Sequence, residues 1–348
     1  MGTKKGLFVF QGEPGGRFEP TARAFPGEPV EYAMRDPGTG RLLASVTSPF
    51  YGPKIWHADD PSGEWTQARG IALPEEGDAA LERIWVIVAG EESLYAGGDP
   101  GVLFESRDGG ATWELNRALW EHPTRPSWQP GGGGLCLHSI VPWPGDPSRL
   151  ALGISAAGVW LTEDGGQTWR QGNEGLTARY LPEDADPDAS GLCVHRLHRA
   201  PTRPERMFMQ FHGGVYRSDD AGETWTDIGS GLPSDFGFPM VLDPSDPDSA
   251  YVIPLCADHD RVTPDGRVRV YETRDAGATW AGRGDGLPQQ DAYLTVLRLA
   301  FDRAAGESGL ELYFGATSGE VFGSADAGGT WSSAATHLPP VYSVTAVR

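Results

Sequence analysis

The feature that most constrains this chain is a short pattern that returns all along it: Ser or Thr, any residue, Asp, any, Gly, any, Thr, Trp. Five clean copies stand at residues 106–113, 162–169, 218–225, 273–280 and 324–331. Their aspartates are Asp108, Asp164, Asp220, Asp275 and Asp326, separated by 56, 56, 55 and 51 residues. Their tryptophans are Trp113, Trp169, Trp225, Trp280 and Trp331. A near-constant period in this range means an array of equal structural units.

The residue types in each box have a folding role. Short apolar runs flank it, as with Val215 and Tyr216 before the third copy and Ile228 after it. Two such runs joined by a Gly-containing polar turn read as a β-hairpin. The Ser and Asp side chains can hold backbone N–H groups a few residues on. Gly supplies positive φ at little cost. Trp starts the outgoing strand and offers a large face to a neighbouring unit. The box is therefore read as a turn staple and its aspartates as structural. Two weaker copies precede the five: residues 58–65, with Asp60 and Trp65, and residues 11–18, with Glu13 and Phe18 in the Asp and Trp places. Glu13 to Asp60 and Asp60 to Asp108 span 47 and 48 residues, making seven units.

This repeat resembles the Asp-box (BNR) repeat of sialidase-like β-propellers, and with its flanks the resemblance covers nearly the whole chain. It implies a box on the hairpin between the third and fourth strands of a blade, away from the binding face. The fold expected is all-β: one seven-bladed β-propeller over residues 1–348, with four-stranded antiparallel blades. First strands are expected at 30–35, 83–89, 135–141, 193–198, 238–242, 293–301 and 341–348. Second strands are expected at 41–48, 93–97, 149–155, 206–212, 250–255 and 310–316, with turns at Asp146-Pro147 and Asp246-Pro247. The chain starts on what reads as the tail of a second strand and ends on a first strand. The two ends therefore complete one blade, with 341–347 joining the N-terminal strands and removing free edges. Residues 75–83 are the best exception to a helix-free fold.

The charge balance bounds the partners. A net charge of −20 and a pI near 4.7 exclude the basic stripe that a nucleic-acid partner requires, and disfavour anionic membranes. The opening apolar run is too short for a secretory signal core, and three cysteines imply no disulfide framework. The expectation is a cytoplasmic monomer that takes a small-molecule, glycan or protein ligand, with no cofactor and no metal.

In such a ring the second-to-third and fourth-to-first loops share the rim opposite the boxes. The long loops 120–134, 175–191, 256–267 and 287–292 fall there, where function concentrates. The candidate ligand site lies near the channel mouth and combines His212, Asp235, Asp258, His259 and Arg261, with His138, His195, Tyr51 and Tyr293 nearby. A His among carboxylates suits acid–base work, with His212, Asp235 and Asp258 as catalytic candidates, and Arg261 suits a carboxylate clamp. Cys136 with His138, and Cys193 with His195, stand two apart on a strand and so share a face. Each pair could hold a soft metal, but buried Cys and hydrogen-bonded core His are the commoner reading. Four glycines, 131–134, mark a mobile or closely packed loop and not a phosphate cradle.

Two function classes follow from the resemblance. Asp-box propellers include glycosidases, whose chemistry needs paired carboxylates such as Asp235 and Asp258 would offer. A sialidase also needs an Arg-Ile-Pro motif near the start; Tyr251-Val252-Ile253-Pro254 is only an echo of it, and the sialidase residue set does not carry over. The same superfamily includes sorting receptors and photosystem assembly factors. The chain looks most like bacterial intracellular BNR-repeat proteins that are glycosyl hydrolase-like by fold. The balance favours a binding or assembly scaffold over a hydrolase.

Overall fold

The computed structural model describes residues 1–13, 15–75, 79–180, 191–306 and 309–347. Each clean box folds as its residues dictate. The Asp220 carboxylate accepts the Thr224 N–H at 2.9 Å, the Thr224 hydroxyl at 2.6 Å and the Ser218 hydroxyl at 2.7 Å. Ser218 Oγ in turn accepts the Gly222 N–H at 2.9 Å. The same four bonds recur around Asp108, Asp164, Asp275 and Asp326. In every case the turn joins a third strand to a fourth.

The described residues form seven four-stranded antiparallel sheets, the blades of a propeller. Blade 1 is assembled from both ends of the chain: Val341–Ser343 pairs with Gly2–Thr3, followed by Gly6–Gln11 and Glu19–Ala24. Blade 2 runs from Val30–Arg35 through Leu42–Ser48 and Gly52–Ala58 to Thr66–Gln67. Blades 3 to 7 open on inner strands Arg83–Ala89, Cys136–Trp143, Val194–Arg199, Gly237–Leu242 and Phe301–Gly306. Neighbouring inner strands touch around the ring, and Val341–Ser343 meets both Val30–Arg35 and Gly309–Gly315, so the ring closes. Antiparallel order puts the boxes on one rim and the second-to-third and fourth-to-first loops on the other.

The core lies between blades. One cluster joins Ala151, Val159 and Leu161 of blade 4 to Met209, Phe211 and Trp225 of blade 5; another joins Leu43 and Ile55 of blade 2 to Ile87, Phe104 and Trp113 of blade 3. The box Trp of each later blade belongs to the cluster it shares with the blade before. Trp113, Trp169, Trp225 and Trp331 are buried and Trp280 half-buried. A buried Trp removes about 150–250 Å² from water, an upper-bound gain of about 4–6 kcal/mol. A hydrogen bond contributes about 1 kcal/mol net. Trp burial therefore holds the blades, and the Asp bonds aim the Trp.

Hydrogen bonds run across the same junctions. The indole N–H groups of Trp169, Trp225 and Trp280 donate to Asn116, Gly172 and Ile228 of the preceding blade at 3.1, 2.9 and 2.7 Å. Trp113 N–H and Trp225 N–H donate to Arg69 O and Glu174 O. The residue after each acceptor is glycine because the Trp backbone passes over it. Gly175 has φ +85°, and a Cβ there would sit 2.2 Å from Trp225 O. The weakened boxes keep the packing: Trp65 meets the Phe25 ring at 4.9 Å, and Phe18 meets Tyr313 of blade 7 at 5.6 Å.

The structure corrects several sequence-based boundaries. The inner strand of blade 7 is Phe301–Gly306, not 293–301. Leu294 and Val296 in the earlier stretch are buried, but they fill the core beneath a loop. Asp146 and Pro147 belong to the second strand Asp146–Ser155, and the turn falls at Pro144 and Gly145. Closure uses Val341–Ser343 only; beyond it, Thr345 Oγ1 donates to Ala33 O at 2.6 Å and the Ala346 N–H donates to Asp302 at 2.9 Å. No helix forms at 79–83, while 76–78 lie outside the described residues, as do 181–190 of the 175–191 loop and residue 348. Among the described residues the one α-helix is Arg117–Trp120, and no helix is long and apolar enough to cross a membrane.

Two outcomes are expected. Gly231 also has positive φ, at +93°, but faces open space. Gly231→Ala should cost only the left-handed term of about 1–2 kcal/mol, and Gly175→Ala clearly more, because the Trp225 carbonyl must move. Urea unfolding of both variants checks the order. Hydrogen bonds from the Thr168 hydroxyl, then from the Thr168 N–H and the Thr162 hydroxyl, hold the Asp164 carboxyl at about 2. Asp275 is lowered in the same way by Thr279 and Thr273. For Asp108, Asp220 and Asp326 burial works upward, yet the box hydrogen bonds leave each below its ordinary value. A lowered folded value means that this stability is complete above the unfolded carboxyl pKa of about 3.9 and is lost as pH falls through the folded one. The melting temperature should fall between about pH 4 and pH 2, and less steeply in Asp164→Asn.

Candidate functional site

The inner strands share an irregularity that sequence periodicity does not reveal. In blade 5, Val194 pairs with Phe211 and Arg196 with Gln210, leaving His195 as an extra residue. Tyr342, Glu31, Trp85 and His138 are the extra residues at the same place in blades 1, 2, 3 and 4, and in blade 6 Phe238 and Pro239 together oppose Ile253. A bulge of this kind re-aims a side chain. These residues lie near the start of each inner strand, at the rim opposite the boxes. Arg298 is common to them: its guanidinium lies 4.5 Å from the Phe238 ring of blade 6 and 6.0 Å from the Trp85 ring of blade 3. Only a group close to the ring axis reaches both. Its Nε has no hydrogen-bond partner among the described residues, and burial pulls its pKa down.

Beside Arg298 stands a compact group from blades 5 and 6. Cys193 precedes the blade 5 inner strand, and its carbonyl accepts the His212 N–H at 3.0 Å, so the two face each other across the hairpin. One ligand atom from each of Cys193, His195 and His212 lies within 4.8 Å of the others. The buried His195 has Nδ1 2.6 Å from Gly237 O, and its ring packs against Phe238 at 4.8 Å and His212 at 5.3 Å. The His212 ring lies between Tyr180 at 4.2 Å and Phe236 at 5.1 Å. The Tyr180 hydroxyl accepts the Cys193 N–H at 2.9 Å and donates to Gly191 O. The glycine turn at 131–134 lies over this group: a Cβ on Gly131 would be 3.5 Å from Cys193 Sγ, and one on Gly132 3.9 Å from Arg261. Gly134 is closely packed against Asp99, whereas Gly132 and Gly133 are exposed and a Cβ on Gly133 would meet nothing.

Electrostatics keep the group neutral. Burial, then Arg298, hold His195 well below its usual range. Burial also lowers His212, with Asp258 opposing it in part. Burial pushes the Cys193 thiol up, while Ser155, Arg298 and Arg261 act in the other direction.

The expected site residues separate into two sets. His212, Asp258, His259 and Arg261 come together. Asp258 Oδ2 is 3.8 Å from His212 Nε2, Asp258 Oδ1 is 3.0 Å from His259 Nδ1, and Arg261 Nε donates to Asp258 O at 2.9 Å. His259 holds the Asp258 carboxyl below its ordinary value. Asp235 is exposed in the loop leading into blade 6, close enough for its charge to act on His212. His138 is fully enclosed, with Nε2 2.9 Å from Ser155 Oγ and 2.8 Å from Val194 O, and Nδ1 3.2 Å from Ser139 Oγ. It is a hydrogen-bonded core residue at the junction with blade 5. Tyr51 sits on the exposed turn of blade 2, three blades away around the ring from His212, and Tyr293 lies against Gly266 in the loop into blade 7. Tyr180, Phe236, Phe238 and Arg298 are the members that sequence reasoning missed. The signal for Phe236 and Phe238 was their alternation beside a strand start; Arg298 left none.

Tyr180 ties the fourth-to-first loop to Cys193 through one hydroxyl. Tyr180→Phe leaves the Cys193 N–H and Gly191 O without that partner and should lower stability by about 1–3 kcal/mol. Urea denaturation of the variant beside the wild type reads this directly.

No protein-family model matches the chain. The Photosystem II assembly lipoprotein Ycf48 of Synechococcus sp. (strain CC9902) is 26% identical over 196 residues, covering 56% of this chain and 47% of its own length. The oligoxyloglucan-reducing end-specific xyloglucanase of Emericella nidulans is 23% identical over 157 residues, 44% of this chain and 18% of the enzyme. The match thus spans less than half the length of either relative. Among solved structures, the GH74 enzyme of Niastella koreensis superposes with a TM-score of 0.55 at 15% identity, over 98% of this chain and 67% of that one. At that identity the likeness is one of propeller fold.

Proposed function

We propose that this chain is a binding or assembly scaffold whose working face is the rim opposite the boxes, and that this face takes a protein segment. The observation that carries the reading is where its exposed aromatic residues lie. Among the described residues the exposed large aromatics are Phe50, Tyr51, Tyr180 and Tyr293. Phe50 and Tyr51 occupy the second-to-third turn of blade 2, and Tyr180 and Tyr293 the segments leading into blades 5 and 7. All four therefore belong to one rim. Aromatic rings kept in water on one face are characteristic of a surface that a partner covers. The net charge of −20 favours a cationic or neutral partner. The similarity to a protein named for photosystem assembly supports the same reading. The bonding pattern of the five boxes supports placing the repeat with the Asp-box (BNR) type of sialidase-like propellers. Three free thiols, two of them buried, support a reducing cytoplasmic setting, and we take the ring to act as a monomer.

Glycoside hydrolysis is the second reading, supported by the similarity to a xyloglucanase. That chemistry needs one carboxyl that keeps its proton near neutral pH. Asp258 is held low and suits the opposite role. Asp99, at the rim end of the second strand of blade 3, is raised by burial and is the carboxyl to test as the acid.

A pull-down from the source cell with the full chain separates the two readings. The scaffold reading expects a stoichiometric protein partner. The triple variant Phe50→Ser, Tyr51→Ser, Tyr293→Ser should weaken its binding more than about 100-fold, at roughly 1 kcal/mol or more per aromatic anchor, with the melting temperature unchanged. Turnover of aryl glycosides or xyloglucan oligosaccharides that Asp99→Asn abolishes would overturn it in favour of the hydrolase.

A further inference from the structure

We infer that Cys193, His195 and His212 form a binding site for a late divalent transition metal, zinc(II) or copper(II), at the rim of blade 5. The argument begins with the donor set. One sulfur and two imidazoles suit borderline-soft ions and not magnesium or calcium, which take oxygen ligands. Their ligand atoms already lie within 4.8 Å of one another. An ion with bonds of about 2.0–2.1 Å to nitrogen and about 2.3 Å to sulfur needs ligand separations of roughly 3.5 Å. Binding therefore requires the three side chains to draw closer together than they stand here.

The surroundings are arranged as metal ligands require. Gly237 O engages His195 Nδ1 at 2.6 Å, which fixes the tautomer and leaves Nε2 with its lone pair free. The site therefore has an outer partner that orients a ligand. Asp258 places a carboxylate 3.8 Å from His212 Nε2 and adds negative charge on the solvent side. The backbone origin is equally specific. The bulge in blade 5 turns His195 out of the ladder, and the hairpin sets His212 opposite Cys193. In blade 4 the bulge residue His138 has both ring nitrogens engaged, so the pair Cys136 and His138 does not form a second such site.

The inference does not depend on the ligand proposed for the rim, and its test measures metal alone. Chelator-treated full-length protein is titrated with zinc(II), cobalt(II) and copper(II), with bound metal measured by elemental analysis after dialysis. One equivalent of zinc or copper is expected, the tighter of the two identifying the preferred ion. The cobalt adduct should show a thiolate-to-cobalt charge-transfer band in the near ultraviolet. Cys193→Ser should abolish that band. His212→Gln, in a half-exposed turn, should weaken binding by more than the roughly 10–100-fold that loss of an outer partner costs. Cys256→Ser, which removes the exposed thiol, and Cys136→Ser should leave both readouts unchanged. Absence of stoichiometric binding overturns the assignment. So does a band that survives Cys193→Ser but disappears in Cys256→Ser, or undiminished affinity in a folded His212→Gln.

Discussion

Packing of one Trp across each blade junction is the interaction on which the rest of the ring depends. Within a blade, four short strands share ladder bonds but have little core of their own. The buried clusters form between sheets, and each clean box contributes its Trp to the cluster shared with the preceding blade. The Asp, Ser and Thr of the box act on this indirectly: they fix the turn so that the indole leaves at the right angle. That division explains how Phe18 and Trp65 can serve in boxes whose polar residues have drifted. The ring tolerates a different turn more readily than the loss of the large side chain.

Much of the architecture was legible because turn chemistry is local. Ser, Asp, Gly and Thr in fixed order can satisfy one another within eight residues, so spacing gave seven units, and the resemblance to propeller blades implied the closure of both ends on one blade. The failures were non-local. Leu294 and Val296 alternate as a strand would, but they are buried under a loop, and alternation cannot distinguish the two. The site was legible in part for the same reason. His212, Asp258, His259 and Arg261 were found because loop ends on one rim can be assigned by counting. The union of His212 with Cys193 depends on hairpin register, and the exposure of His195 to that pair depends on a bulge; neither leaves a mark in composition or period.

The bulges connect fold to chemistry. An inner strand that stayed regular would send alternate side chains into the two flanking sheets. One extra residue near its start releases a side chain from the ladder instead, and six blades do this. What is released differs: Glu31, paired with Arg83 at 3.3 Å; Trp85 and Phe238, bracketing Arg298; His138, consumed by hydrogen bonds; His195, with one nitrogen left over. One backbone device thus sets acidic, aromatic and imidazole groups, most of them buried, at the starts of successive inner strands, while the box rim keeps its repeated chemistry.

The hydrogen bonds from Trp to the preceding blade give the ring a sense of rotation. The outer strand ends of blades 2 to 7 accept from the next blade's turn, and Phe18 N–H, donating to Ala334 O, carries the sequence of dependencies past the join between the two ends. Loosening one outer strand therefore unseats the indole of its successor, not of its predecessor. Fraying would travel one way around the circle, with the contact between the Phe25 and Trp65 rings as the link that takes it from blade 1 to blade 2.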